Sequence, residues 1–509
     1  MRNVRVFAVA LVAMVLAGPS VGDARSAGKA AAAGPPAHDA TAVLERVSQT
    51  MGASALGSLR YAAEGVGWTY GQSFTPGAAW PKITIHAQQR TINYVTASMR
   101  EEITLSRAEP KGGGGYPQAA RQTSDQFLSG QHAWNQAGGN PQPGPRFVND
   151  RIHQLWITPH GAVKAALRNK ATVVGGGANG RGPAMLAFIE PGRFHARLFI
   201  NADNLVERVE TIIADTVTGE VATVTRYGGY GRHVTVLFPS RIQQSIGGFP
   251  TLDVRVTAVE PNVPADIAVP DTVRNARETV TAEEVAEGVW FLAGGSHNSV
   301  AIRMRDYMIL VEAPLNDGRM MPVVEQVLKL GAGRPIRYAI NTHQHYDHSG
   351  GVRMAVALGA TIVTHASNVG WYEKAFATPN TIAPDLLTQS RRKARVVGIG
   401  GGAAGAGTPE RTVIDDGERR VELLPILDSV HNDAFLMVWL PKERLLIEAD
   451  AYTPGAAGAP PPQPPTPNSV NLVENIERAG LDVGRILPLH GRIASGDELM
   501  SAAGRVPRR

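Results

Sequence analysis

Asn341-Thr342-His343-Gln344-His345-Tyr346-Asp347-His348-Ser349-Gly350-Gly351 is the stretch from which the rest of this 509-residue chain can be read. It sets four metal-binding side chains, His343, His345, Asp347 and His348, within six residues, behind an apolar run from Ile336 to Ile340 and ahead of paired glycines. Side chains alternate along an extended segment, so His343 and His345 share one face and can reach one cation. Asp347 and His348 follow where the chain turns, and aim at a second, adjacent position. The run from Ile336 reads as a strand and the segment after it as a loop that serves two metals.

Composition limits what surrounds that loop. A chain of this length with 43% hydrophobic residues can build two or three domains with sizeable cores. The net charge of +5 is spread along the sequence, and only Arg391-Arg392-Lys393 makes a short basic run, which reads as a solvated surface and not as a nucleic-acid site. With no cysteine there are no disulfides, thiolate ligands or lipid-anchored cysteine, so a metal site must be made from histidines and carboxylates.

Arg2 and Arg5 precede an apolar stretch from Val6 to Ala17, followed by Gly18-Pro19 and small residues, the pattern of an export signal over residues 1–22. The apolar run is short for a bilayer span, so no stable membrane anchor is expected after cleavage. Residues 23–40, rich in Ala, Gly and Pro, read as a disordered leader, and the mature protein is expected in the periplasm or secreted.

Residues 41–279 read as a β-rich N-terminal domain. Short alternating runs, among them Lys82 to His86, Thr91 to Ser98, Arg193 to Ile200, Leu205 to Ala214, Val221 to Tyr227, His233 to Phe238 and Val254 to Glu260, are separated by Gly, Pro and Asn, which predicts a mainly antiparallel sheet. His86, His132, His153, His160, His195 and His233 lack ligand spacing and are expected in structural or surface roles, with His153 and His160 flanking a strand that contains Trp156. The stretches Asn204 to Glu210 and Tyr230 to Ile242 resemble, weakly, the curved-sheet folds of periplasmic lipoprotein carriers. A linker from Pro261 to Val280 follows, with Pro264 and Pro270 breaking regular structure.

Residues 280–509 change grammar. Strands at Val289 to Leu292, Val300 to Met304, Met308 to Val311, Ile336 to Ile340 and Ala360 to Thr364 alternate with helices at Met320 to Leu330 and Gly350 to Leu358, a mixed α/β pattern. From Gly288 to Arg492 this segment resembles the metallo-β-lactamase fold, an αββα sandwich with its ligands at one edge of two sheets. His343, His345, Asp347 and His348 stand as that family's HxHxDH signature, and His431, Asp450 and His490 fill its later ligand positions.

The resemblance implies that His343, His345 and His431 hold one metal, that Asp347, His348 and His490 hold a second, and that Asp450 bridges them. It implies two Zn2+ per chain, favoured over iron or manganese, and catalytic roles for Asp347 and Asp450. A hydroxide shared by the cations would attack the carbonyl of a small ester, lactone, thioester or lactam. His431-Asn432-Asp433-Ala434, Ala449 and Glu312 depart from the usual family residues without removing a ligand. His365 resembles a histidine of the family that is not a ligand; His297 is a candidate to line the pocket, and the hydroxyls of Tyr346 and Tyr452 are candidates to donate to a developing oxyanion. Two loops, Gly398 to Gly407 and Thr453 to Asn468, are expected at its rim. The only partner expected is a small-molecule substrate, with no nucleic acid; oligomeric state is not legible. A second reading of the same chain is a periplasmic carrier of a lipid-like ligand with a non-catalytic metal domain.

Overall fold

The computed structural model describes residues 40–113, 121–176, 182–401 and 409–506. The export signal, nearly all of the leader, and most of the Gly398 to Gly407 rim lie outside the described residues. Asp39–Arg509 forms one compact unit. Among the described residues no helix is long and apolar enough to cross a membrane.

The N-terminal part is a thirteen-stranded sheet whose first and last strands, Ser58–Trp68 and Phe249–Pro261, pair with each other near its middle. From the first strand the chain meanders outward to the edge at Asn140–Pro143. It then passes through helices Val148–Trp156 and Pro159–Arg168 and re-enters at the opposite edge, Thr172–Gly176, before meandering back. These helices and Ala40–Met51 bury Val43, Leu44, Val47, Leu155, Ala162 and Val163 against Leu59, Leu186, Leu198 and Phe238 of the sheet.

Three sequence expectations need correction here. His233 to Phe238 is not one strand: Gly219–His233 ends there, the chain turns at Val234, at φ 54°, and Val236–Ile246 returns paired against it. The segment around Trp156 is helical, not a strand: Val148, Ile152, Leu155 and Trp156 recur at helical spacing on the buried side. The next helix starts where the Thr158 side chain accepts from Gly161 N and Pro159 occupies the first turn. Thr91 to Ser98 is not one strand either. Lys82–Asn93 ends at Asn93, whose Oδ1 accepts from Val95 N and Thr96 N, and the chain turns through Ala97, at φ 51°, into Ser98–Arg107.

His153 and His160 are buried in this region. His153 Nε2 lies 2.8 Å from Thr211 Oγ1, and His160 Nε2 donates to the Met51 carbonyl at 3.1 Å. Burial lowers His153 to about 3 and His160 to about 4. Both values lie below the unfolded value of about 6.5, so as pH falls through that value the unfolded chain takes up protons that the folded chain refuses. Stability is full above about pH 6.5 and declines below it, by roughly 2 kcal/mol per histidine at pH 5. Urea denaturation near pH 7 and pH 5 should show a smaller decline in His160→Gln than in the unmodified protein; equal declines would remove His160 from this account.

The C-terminal part is a helix–sheet–sheet–helix sandwich, as the family resemblance implies. Its seven-stranded sheet starts antiparallel (Thr281–Ala286, Val289–Ala293, Ser299–Arg303, Met308–Val311) and continues parallel (Ile336–Ile340, Thr361–His365, Val396–Ile399). A six-stranded sheet from Thr412–Asp415 to Ala494–Ser495 faces it. Alternate residues of one strand go to opposite cores. Val289 and Phe291 pack between the sheets with Leu423, Met437 and Ile447. Trp290 and Leu292 pack outward with Met320, Val323 and Val352 of the covering helices. Burial on both faces is why these strands read as unbroken apolar runs.

The large sheet docks on the sandwich through two of its connections. In one, Val217 enters the core beneath Met320 and Val323, and Glu220 accepts from Thr381 N at 2.6 Å and Ile382 N at 3.0 Å. The other is the connection between Ser58–Trp68 and Lys82–Asn93, which reaches the histidine loop.

Candidate metal centre

Each candidate ligand sits just past the end of a strand, all at one edge of the sandwich: His343 to His348 after Ile336–Ile340, His431 after Arg420–Pro425, Asp450 after Leu445–Glu448 and His490 after Arg485–Pro488. The structure brings all seven together. One ligand atom from each of His343, His345, His431 and Asp450 lies within 4.8 Å of the others, and the same holds for His297, Asp347, His348 and His490. This is the division expected from the sequence, with His297 added to the second set. Asp450 stands between the sets: Oδ2 is 2.8 Å from His431 Nε2, 3.4 Å from His343 Nε2 and 3.2 Å from His348 Nε2, while Oδ1 is 2.9 Å from His490 Nε2.

The outer nitrogens of these rings are held by oxygen atoms, which turns the inner nitrogens towards one another. The Thr342 hydroxyl donates to Glu312 Oε2 at 2.6 Å and so accepts from His343 Nδ1 at 3.0 Å. His348 Nδ1 faces Glu312 Oε2 at 3.3 Å, and His490 Nδ1 donates to the Ser296 carbonyl at 3.0 Å. His345 is turned the other way: Nε2 donates to the Ser73 carbonyl at 2.9 Å, leaving Nδ1 buried without a hydrogen-bond partner. An orphaned buried acceptor of this kind fits a metal ligand whose second nitrogen fixes its tautomer.

The spacing of the inner nitrogens fits too. His431 Nε2 and His343 Nε2 are 3.3 Å apart, and His348 Nε2 and His490 Nε2 are 3.1 Å apart. Nitrogens bound at about 2.0–2.1 Å to one tetrahedral zinc stand about 3.3 Å from each other. An all-nitrogen and oxygen donor set with no thiolate suits zinc.

Charge is arranged to match. Burial alone would raise the Asp450 carboxyl, but His348, His431 and His490 outweigh it and hold it well below the usual range. Burial, reinforced by His343 and His431, keeps His345 well below its usual value and therefore neutral. Burial opposes the charge of His348 as well, yet Asp450 and Asp347 raise it well above the ordinary histidine value. A cation entering this position displaces that proton.

Beneath the rings lies Glu312. It is buried at φ 70° and accepts from Asn341 Nδ2 at 2.8 Å, Thr342 N at 3.3 Å and the Thr342 hydroxyl. One carboxylate thus ties the start of the histidine loop to the end of strand Met308–Val311.

The N-terminal sheet contributes residues that sequence reasoning missed. Gln72 Nε2 donates to Asp347 Oδ1 at 2.7 Å. The Ser73 carbonyl accepts from Gln344 Nε2 at 3.1 Å and Asn432 Nδ2 at 3.2 Å besides His345. Gly71 O accepts from Tyr346 N at 3.1 Å, and Gly71 has to be glycine: it sits at φ 78°, and a Cβ there would come within 2.5 Å of the Tyr346 ring. Gly71-Gln72-Ser73-Phe74-Thr75-Pro76-Gly77 announces a turn in the sequence, but nothing in it announces a ligand's partner. Gln72→Ala is expected to weaken metal retention roughly 10- to 100-fold, the usual cost of losing a hydrogen bond to a ligand. Competition with a chromophoric chelator reads this directly, and unchanged retention would show that the Gln72 contact is incidental.

The remaining candidates lie outside the two ligand sets, with Tyr346 among the residues that line the cavity beside them. His365 Nδ1 accepts from Ser367 N at 3.3 Å and joins neither set. Tyr346 packs against Tyr70 and Trp371 in the seam between the sheets. Tyr452 lines the cavity, as do Gly455 to Ala456 and Gly458 to Pro462 of the rim loop. This cavity, about 1380 Å³, opens over Asp347, His431, Asp450 and His490 and continues to Arg146, to Asp150 and His153 of helix Val148–Trp156, and to Gln244 of the large sheet.

Residues 292–490 match the family model described as Metallo-beta-lactamase superfamily. No curated protein matches the chain. Similar solved structures include the metallo-β-lactamase FIM-1 from Pseudomonas aeruginosa in a mono-zinc form, at 17% identity over 45% of this chain and 95% of that one, with a TM-score of 0.33. A metallo-β-lactamase from Hirschia baltica is 20% identical over 44% of this chain and 97% of its own, with a TM-score of 0.32. One from Erythrobacter litoralis, with β-mercaptoethanol in its active site, is 18% identical over 44% and 95%, again with a TM-score of 0.32.

Proposed function

Because residues 292–490 form a metallo-β-lactamase superfamily domain, that of a metal-dependent hydrolase, we propose that this protein is a binuclear zinc hydrolase of carbonyl compounds: esters, lactones, thioesters or lactams. The observation that carries the reading is the convergence of the inner histidine nitrogens on both sides of Asp450, with His343, His345, His348 and His490 each oriented by an oxygen behind the ring. His343, His345 and His431 would hold one cation, Asp347, His348 and His490 the other, and Asp450 both. When bound, the pair supplies Lewis acidity and a nucleophile from water at neutral pH.

The chain's own residues do the rest. Asp450 fixes the distance between the two sets through its two oxygens. Glu312 and Thr342 hold His343 and His348 with their lone pairs inward. Asp347, at the cavity wall, keeps Oδ1 on the Gln72 amide and Oδ2 on His297 Nε2 at 3.3 Å, which orients its carboxylate to take the proton of the attacking water and return it to the departing alcohol, thiol or amine. The Pro460 to Pro462 rim narrows access and favours apolar groups beside the scissile bond.

The export-like start of the chain, Arg2 and Arg5 before Val6 to Ala17, supports work in the periplasm or outside the cell. A non-catalytic metal domain serving a carrier is the weaker reading, since a purely structural zinc site closes with four ligands and seven converge here. Elemental mass spectrometry should find about two zinc ions per chain, and the zinc-loaded protein should hydrolyse members of an ester, lactone and lactam panel. Iron in place of zinc, or metal binding without turnover of any panel member, would end this reading.

A further inference from the structure

The cavity is larger than the chemistry at its metal end requires. Pockets for small ligands usually hold about 300–1,000 Å³; this one holds about 1380 Å³, and its far wall belongs to the N-terminal sheet. A compound that filled only the space over Asp450 and His490 would leave that wall untouched.

Most charged groups along the wall are already engaged. Asp215 Oδ1 accepts from Val217 N at 2.9 Å and Thr218 N at 2.7 Å, and Oδ2 accepts from the Tyr70 hydroxyl at 3.0 Å. Arg492 is paired with Glu498 across 2.5 Å. Arg151, one turn beyond Arg146, spends its guanidinium on the carbonyls of Phe127 and Trp134 and the side chains of Gln126 and Asn135.

Arg146 differs. It sits half-buried between Pro145 and Phe147, its guanidinium 4.5 Å from the centre of the Phe147 ring, and among the described residues it has no hydrogen-bond acceptor and no ion-pair partner. It lies near enough to Asp347 and Asp150 to feel both charges. Phe147 holds the side chain in place, so a ligand meets a cation that has already given up much of its freedom.

We propose that the substrate is an elongated carbonyl compound with a carboxylate at the end remote from the scissile bond, and that Arg146, in the short helical turn Pro145–Phe147 of the N-terminal part, receives that carboxylate. The planar fork of an arginine suits a carboxylate bound through both oxygens. Asp150, also facing the cavity without a partner, sets the opposing charge and limits how tightly anions are held. The proposal rests on the metal cluster being the hydrolytic centre, and it assigns the N-terminal sheet the distal half of the substrate site.

The test is calorimetric, so it does not depend on turnover. Zinc-loaded protein is titrated with α,ω-dicarboxylates from succinate to sebacate and with monocarboxylates of matched length, so that one carboxylate in every ligand can meet the metals. At one chain length the dicarboxylate is expected to bind roughly 10- to 100-fold more tightly. That preference should vanish in Arg146→Ala and in the closer mimic Arg146→Gln, with zinc content unchanged, and should grow in Asp150→Asn. No preference at any length, or a preference that survives both Arg146 variants, overturns the proposal. A preference that depends on Arg146 alongside no turnover of any ester would instead leave the distal site standing and remove the hydrolase reading.

Discussion

Asp450→Ala is expected to abolish hydrolysis and to lower bound zinc from about two ions per chain to one or fewer. Its two oxygens contact four imidazoles of the two sets, at 2.8 to 3.4 Å. Without it, His431 and His490 lose their only carboxylate contact, and two cations in one small space lose the anion that offsets their repulsion. Elemental analysis beside an ester assay settles the matter: a variant that kept both metals and its rate would show that Asp450 is a bystander. Asp450→Asn keeps the shape while removing the charge, so a comparable loss there would locate the effect in the charge.

Glu312→Ala should destabilise the protein by roughly 3–5 kcal/mol, the range for removing one partner from a buried charged network. Thr342 N and the Thr342 hydroxyl would both be left buried without this acceptor, the Asn341 amide would keep only the His348 carbonyl, and the Thr342 hydroxyl, freed to rotate, would no longer present a lone pair to His343 Nδ1. Two losses are therefore expected together: an earlier denaturation midpoint in the metal-free protein and weaker zinc retention. A midpoint shift with normal zinc retention would confine Glu312 to holding up the fold, and no shift at all would mean that the loop is held by other contacts.

The parts of this molecule that the sequence made legible are those where chemistry demands particular residue types. Only His, Asp, Glu and Cys serve a zinc-like ion well, so His343, His345, Asp347 and His348 behind Ile336–Ile340 stand out by themselves, while His431, Asp450 and His490 are named through the family resemblance. The sandwich was legible for a related reason: strands such as Met308–Val311, buried on both faces, have no polar positions to confuse their reading. What stayed hidden was held by less particular chemistry. Gln72 is one amide among many, and His297 has no spacing relation to the other ligands until the fold brings its Nε2 to 3.3 Å from Asp347. The helices at Val148–Trp156 and Pro159–Arg168 were misread because a run of apolar residues around Trp156 suits strand or helix alike.

The Ser73 contact has a consequence for how this protein can vary. A backbone carbonyl is present whatever residue occupies position 73, so no replacement of the side chain deletes the acceptor that orients His345. Random substitution and comparison of residue types at that position are therefore both blind to it. Inheritance of the contact is guarded by length: adding or dropping a single residue between Trp68 and Lys82 would carry the carbonyl past the imidazole, while the side chain at position 73 remains free to drift.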